Sequence, residues 1–282
     1  MFYDVHEGSL PEIIRKRLPE SPFARHLHCL QAIGSTNAYA KELAKKGAAE
    51  GSLVLSEEQT GGMGRMGRQW HSPSGVNLYA SFVLRPLFSV ERVFSLTMLT
   101  ALALVQGIEA VAGIKTLIKW PNDIYFKHKK AAGILTEFSA KGKRIEHVII
   151  GIGLNVNWDM KDRPDLKQAA TSLALETGRS ISRTDLLVSV FGFLGKHYGP
   201  LVKGEDGFVY KRWNELSMVI GKEVFIDLSN ERKRAWVKGV DRNGALMIMD
   251  KQGKESSIVC GDVAVSFPSL SSSRAVSVSP EP

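Results

Sequence analysis

Cysteine is almost missing from this sequence: Cys29 and Cys260 are the only two in 282 residues. They are too few for a disulfide framework and too far apart for a zinc pattern, which predicts a reducing, cytoplasmic setting with both thiols structural. A hydrophobic run long enough to cross a bilayer is missing too. The most apolar window, residues 93–108, is interrupted by Ser95, Thr97, Thr100 and Gln106 and reads as a core helix, so no membrane segment is expected. The amino terminus, with Asp4 and Glu7, has no basic stretch leading into an apolar one, and so no secretory signal. Nor is charge of one sign massed anywhere. Lys and Arg outnumber Asp and Glu by 37 to 29, a net of +8, but they are scattered. That distribution favours a solvated basic surface and anionic partners over a nucleic-acid-binding face.

What is present begins with a core. Hydrophobic residues make up 44% of the chain, enough for one large domain and a smaller one. A short basic helix is expected over 12–18. An alanine-rich helix over 38–47 has Ser35 as N-cap and Gly47 as stop. Strands are expected over 52–56 and 77–84, the latter with Leu78, Ala80, Phe82 and Leu84 on one face. A long buried helix over 91–111 closes at Gly113, and strands follow over 116–120, 123–126, 131–138 and 144–156. Two more helices run from Ser182 towards Gly199-Pro200 and over 205–216. From Lys222 the texture changes to five short strands, over 224–228, 234–240, 245–250, 255–259 and 263–267, with Asn243-Gly244 as one hairpin turn. The organisation expected is an α+β catalytic domain over 1–218 and a small SH3-like β-barrel over 219–268. The tail over 269–282, rich in Ser and Pro, should be disordered.

The densest chemistry lies in residues 59–70, Gln-Thr-Gly-Gly-Met-Gly-Arg-Met-Gly-Arg-Gln-Trp. Glycines let main-chain N–H groups approach an oxyanion, arginines offer forked donors, and an indole offers a flat face. Gly62, Gly64 and Gly67 satisfy G-x-G-x-x-G, but Pro73 and Gly75 deny the following helix that a dinucleotide fingerprint requires. No H-R-D, D-F-G or Walker lysine accompanies it. Four other stretches stand out: Ser35-Thr36-Asn37, Lys119-Trp120-Pro121-Asn122-Asp123-Ile124-Tyr125, Lys130-Ala131-Ala132-Gly133-Ile134-Leu135-Thr136-Glu137, and Gly151-Ile152-Gly153-Leu154-Asn155-Val156-Asn157. Glycines inside the last, a strand pattern, signal close approach to the backbone. Each residue also has an ordinary reading: Ser35 as a cap, Lys130 as a solvated turn lysine beside Lys127 and Lys129, Asp123 as a turn carboxylate, and Trp70 as a core indole.

In this order and at these spacings, the set resembles the biotin protein ligases (biotin–[acetyl-CoA-carboxylase] ligases). The resemblance spans residues 30–267 and includes Thr171-Ser172-Leu173. It implies a mixed β-sheet with helices on one side, of the class II synthetase and biotin/lipoate ligase type, followed by the SH3-like barrel. It implies activation of biotin with ATP and Mg2+ to biotinyl-5′-adenylate, then transfer to a lysine of a biotin carboxyl carrier protein. By motif position Lys130, Arg65 and Asp123 would be catalytic, Lys130 bridging carboxylate and α-phosphate. Biotin would be held by Ser35, Thr36, Asn37, Gln59, Gly62, Met63, Gly64, Arg65, Lys130 and Gly133. The adenylate would be held by Arg65, Arg68, Trp70 and Asn155, with no fixed protein metal site. Asn77 and Ser81 are candidate pocket linings, and Trp120 is structural.

One departure stands out: Met63 occupies a position where the family usually has arginine, which predicts looser retention of the adenylate. The residues before Ser35 are too few for a winged helix-turn-helix, so the expectation is a monofunctional ligase, a homodimer, with no specific nucleic acid. The alternatives are a lipoate-protein ligase or octanoyltransferase of related fold, against which the glycine-arginine loop argues, and, in a different class, a DNA-binding biotin-responsive repressor.

Overall fold

A computed structural model describes residues 9–227, 232–259 and 261–264. The chain runs through α1 (Leu10–Arg17), β1 (Leu27–Ile33), α2 (Thr36–Lys45), β2 (Leu53–Gln59) and β3 (Leu78–Leu84). It continues through α3 (Val93–Ala112), β4 (Leu117–Lys119), β5 (Asp123–Phe126), β6 (Lys129–Lys141) and β7 (Arg144–Leu154). The strands form a seven-stranded sheet in the order β1-β2-β3-β7-β6-β5-β4. β1 and β2 are parallel and the remaining pairs antiparallel, so the sheet is mixed as expected. After α4 (Leu173–Thr177), α5 (Arg183–Val202) and α6 (Gly207–Leu216) come β8 (Glu223–Asp227), β9 (Arg232–Val240), β10 (Leu246–Met249), β11 (Glu255–Ile258) and β12 (Asp262–Ala264). These five form an antiparallel sheet in the order β11-β10-β9-β8-β12. Cys260, the end of the expected strand over 263–267 and the tail over 269–282 lie outside the described residues.

Leu78, Ala80, Phe82 and Leu84 share one face, as their alternation predicts, and join the core beneath α3 and α5. There Phe82 meets Phe23 and Phe191 with ring centroids 5.2 and 5.5 Å away. α3 ends at Gly113 with φ 74, the left-handed cap that glycine adopts at no steric cost. It is the one helix among the described residues long and apolar enough to cross a membrane, and it is buried inside the protein. The expectation of helices on one side needs correction. Val54, Val83 and Ile149 face the opposite way and pack on Ala40 and Ala44 of α2. The cause is visible in β2 and β3, whose consecutive residues Leu53–Leu55 and Leu78–Leu84 are all buried: a strand without a solvent face needs cover on both sides.

The C-terminal sheet is locked to the large domain at the predicted Asn243-Gly244 turn. Gly244 has φ 83, and Phe94 packs so closely that a Cβ there would lie 1.8 Å from its ring. Its carbonyl accepts from the fully buried Trp120 Nε1 at 2.9 Å. Trp120 is therefore structural, as expected, and holds in place the chain that carries Asn122 and Asp123.

Candidate active site

On the α2 face of the large sheet lies a cleft of about 290 Å³. Its floor is cut by glycines. Gly133 of β6 and Gly153 of β7 are direct partners in the ladder, and Trp70 lies in the trough their missing side chains leave. A Cβ at Gly153 would come within 2.4 Å of Trp70 Cε2, and one at Gly133 within 3.3 Å of Cζ3. At Gly151 a Cβ would sit 2.0 Å from Asn37 Oδ1. The close approach predicted at these strand glycines is real, and it is made by the chain's own Trp70 and Asn37.

Residues 61–71 fold back as a flap. Gly64 N–H donates to Arg68 O at 2.7 Å and Trp70 N–H to Gly62 O at 2.8 Å. The crown is a 3₁₀ turn, Arg65–Gly67, with no helix after it, so the G-x-G-x-x-G pattern does not begin a dinucleotide fold. Gly62 is buried behind the wall; a Cβ there would lie 2.5 Å from Trp70 O, so glycine serves the flap's own packing. Arg65 donates to Asn122 Oδ1 at 3.2 Å and to Gly261 O at 3.4 Å, linking flap, β4–β5 turn and C-terminal sheet.

The charged centre is the ion pair of Lys130 Nζ and Asp123 Oδ1 at 2.7 Å, with side chains 29% and 19% exposed. Lys130 Nζ also stands 5.3 Å from the Trp70 ring centroid, within cation–π range. Its main chain is pinned on both sides: Lys130 N–H donates to Ala169 O, and Thr171 N–H to Lys130 O, each at 2.9 Å. Asn155, 4% exposed, is fixed by its Nδ2 donating to Thr171 O at 3.0 Å.

The other end of the cleft is neutral. Ser35 caps α2, accepting from Ala38 N–H at 3.4 Å. Gln59 Oε1 accepts from Thr36 N–H at 2.9 Å; because a backbone N–H only donates, the amide oxygen must point there, and Nε2 donates to Ser72 Oγ at 3.0 Å. Ser81 and Asn77 do not line the cleft. Ser81 is fully buried and touches Thr36 and Asn37 from beneath, while Asn77 ties Tyr79 to the Val156 N–H. Both were expected to line it because they sit on the strand forming the floor, but a strand this buried turns its polar side chains into the protein.

Ser35, Thr36, Asn37, Gln59, Met63, Gly64, Arg65, Arg68, Trp70, Asp123, Lys130, Gly133 and Asn155 therefore line one cleft. The lining residues that fall outside the five motif stretches are His71, Trp158, Leu166, Ala169 and Ala170. The last four belong to the connection between β7 and α4, and its length without periodic pattern was the available signal, since long loops in compact domains are usually functional. Cys29 lies elsewhere, on edge strand β1, and burial pushes its thiol up to about 11, which keeps it neutral and unreactive. Replacing Ser35 with alanine is expected to cost about 1 kcal/mol in urea unfolding, the value of a lost N-cap.

A lysine–carboxylate pair under a two-arginine flap, beside a corner of neutral amide and hydroxyl groups, is suited to a ligase that brings two anions together on a partly uncharged substrate. Residues 29–155 match the Biotin/lipoate A/B protein ligase family. The bifunctional ligase/repressor BirA of Bacillus spizizenii is 40% identical over 248 residues, covering 87% of this chain and 76% of that protein. The biotin–[acetyl-CoA-carboxylase] ligase of Paracoccus denitrificans is 30% identical over 226 residues, covering 78% and 93%. The structure of the Aquifex aeolicus biotin protein ligase in complex with biotin and ATP superposes with a TM-score of 0.73 at 27% identity, covering 85% of this chain and 98% of that one. The chain belongs to the biotin protein ligase family.

Proposed function

We propose that this ligase, whose substrates are biotin and ATP, carries out both of its steps in the cleft described above. The observation that carries the reading is the Lys130–Asp123 pair at 2.7 Å in a cleft also lined by Arg65 and Arg68. In the first step a biotin carboxylate oxygen bonds to the α-phosphorus of ATP and pyrophosphate leaves. Two anions must meet, and Lys130 placed between them, with Arg65 and Arg68 overhead, offsets their repulsion. In the second step the amine of an acceptor lysine attacks the acyl carbon and AMP leaves. Asp123 orients Lys130 and is the group placed to take the proton that the acceptor ammonium must lose. Mg2+ would accompany the triphosphate and supply further charge neutralisation there, while the Asp123 carboxylate is held by Lys130.

Thr36 and Gln59 would hold the ureido head, and Trp70 with Asn155 the adenylate. The acceptor would be a biotin carboxyl carrier protein, approached across the exposed turn at Lys127 and His128, where positive charge suits an acidic domain. The five-stranded C-terminal sheet is taken as an SH3-like barrel, on the strength of its short strands and alternating burial.

Pyrophosphate release that depends on biotin and not on lipoate, together with labelled-biotin transfer to a purified carrier domain, tests the reading; equal response to lipoate overturns it. Met63 lines the cleft and is 59% exposed, leaving two arginines in the flap. Met63→Arg is expected to slow release of the bound adenylate, read as its dissociation rate, and equal rates in the two proteins would sink the idea.

A further inference from the structure

Glu137 takes no part in the cleft wall, yet its carboxylate is engaged from two sides by α2. Asn37 Nδ2 donates to Oε2 at 2.9 Å and Lys41 Nζ stands 3.5 Å from Oε1. Asn37 and Lys41 are four residues apart, one turn along the same helix face, so a single carboxylate holds two side chains of α2. Along β6, Glu137 shares its face with Gly133 and Leu135, which do line the cleft.

The polarity of the whole neutral corner follows from this contact. A carboxylate only accepts, as does the Leu135 carbonyl that Asn37 Nδ2 meets at a longer 3.4 Å, so Asn37 turns its NH₂ towards Glu137 and its Oδ1 towards Ser81. Ser81 Oγ lies 2.6 Å from Asn37 Oδ1 and 2.7 Å from Thr36 Oγ1. Its hydroxyl has one proton, and Asn37 Oδ1 can only accept it. Thr36 Oγ1 then has one proton for two neighbouring oxygens, Ser81 Oγ at 2.7 Å and Gln59 Oε1 at 3.0 Å, and receives none from Ser81 in return. Donation runs from Ser81 to Asn37 to Glu137, and Thr36, which lines the cleft, keeps its hydroxyl lone pairs clear of the Ser81 proton.

We infer that Glu137 is a positioning residue that makes Thr36 an acceptor for an N–H group of the ligand, and thereby selects a head group that donates hydrogen bonds. The inference rests on the reading that this corner receives the ureido head of biotin. Glu137→Ala is expected to raise KM for biotin about 10- to 100-fold, the range for a lost hydrogen bond to a charged group, with KM for ATP unchanged. Asn37→Asp sets two carboxylates against each other and is expected to be worse. Combining Asn37→Asp with Glu137→Gln restores a donor opposite residue 37 and keeps an acceptor opposite Ser81, so the double variant should recover most of the lost biotin affinity. A merely structural role predicts that the double variant recovers stability in urea without recovering biotin KM.

The inference is overturned if Glu137→Ala leaves biotin KM unchanged or raises ATP KM equally, or if the double variant is no better than Asn37→Asp. Wild-type protein that forms no biotin-dependent pyrophosphate would sink the functional reading instead. Urea unfolding of the same proteins measures the Asn37–Glu137 coupling with no ligand present, and zero coupling overturns the role of Glu137 whatever the activity.

Discussion

Lys130→Ala is expected to lower biotin-dependent pyrophosphate formation by about 10²- to 10³-fold, the usual loss when one fixed donor is removed from a site of developing charge. Lys130 lines the cleft with Asp123 on one side and the Trp70 ring on the other. Arg65, the neighbouring flap arginine, is drawn instead towards Asn122 and Gly261. Truncation also leaves Asp123, only 19% exposed, without its ion-pair partner, so the remaining negative charge opposes the incoming anions as well. Lys130→Arg should not restore activity. Cε and Nζ of Lys130 already lie 3.2 Å from the point a Cβ on Gly133 would occupy, and a planar guanidinium needs more room than this niche has. Because the main-chain bonds of residue 130 to Ala169 and Thr171 survive substitution, the protein should remain folded. Adenylation within threefold of wild type in folded Lys130→Ala would remove Lys130 from the chemistry.

The second large effect is expected from a single methyl group. In Gly153→Ala the new Cβ would lie 2.4 Å from Trp70 Cε2, an impossible contact that only movement of the indole or of β7 can relieve. β7 is paired with β3 on one side and β6 on the other, so the indole is the part that yields. Displacing an aromatic face from a base costs about 1–3 kcal/mol, so KM for ATP should rise roughly 10- to 100-fold. The overpacking itself is expected to reduce stability by about 1–3 kcal/mol. Tryptophan emission should shift to the red as the indole meets water. If the effect passes through Trp70 alone, Gly153→Ala added to Trp70→Ala changes nothing further in ATP affinity. Unaltered emission and ATP affinity in Gly153→Ala would show that Trp70 is not the occupant that matters.

These two residues also show how far sequence reasoning reached. Gly151 and Gly153 were legible as places where something nears the backbone, because a strand interior otherwise disfavours glycine. That the visitors are Asn37 and Trp70 was not legible, since both arrive from chain far away in sequence. Strand β1 escaped notice because Leu-His-Cys-Leu-Gln-Ala-Ile has no clean alternation, and its half-buried edge position demands none. Glu137 escaped too: on sequence alone a glutamate near a strand end reads as a solvated charge, and only the approach of α2 gives it two partners. Ser81 and Asn77, candidate linings on the sequence alone, are instead buried by the doubly covered sheet.

What the sequence by itself determined is whatever depends on neighbours in the chain. The Ser35 cap, the left-handed closures at Gly113 and Gly244, the face shared by Leu78, Ala80, Phe82 and Leu84, and the chemical type of each motif residue all follow from short-range geometry and hydrogen-bonding capacity. Only the tertiary structure decided which residues meet: Lys130 with Asp123, Trp70 with the Gly133–Gly153 trough, Arg65 with Gly261, and Glu137 with both Asn37 and Lys41. Those meetings are set by strand order, register and the covering of both sheet faces. They are collective outcomes of burying one core, and no local stretch of residues carries them.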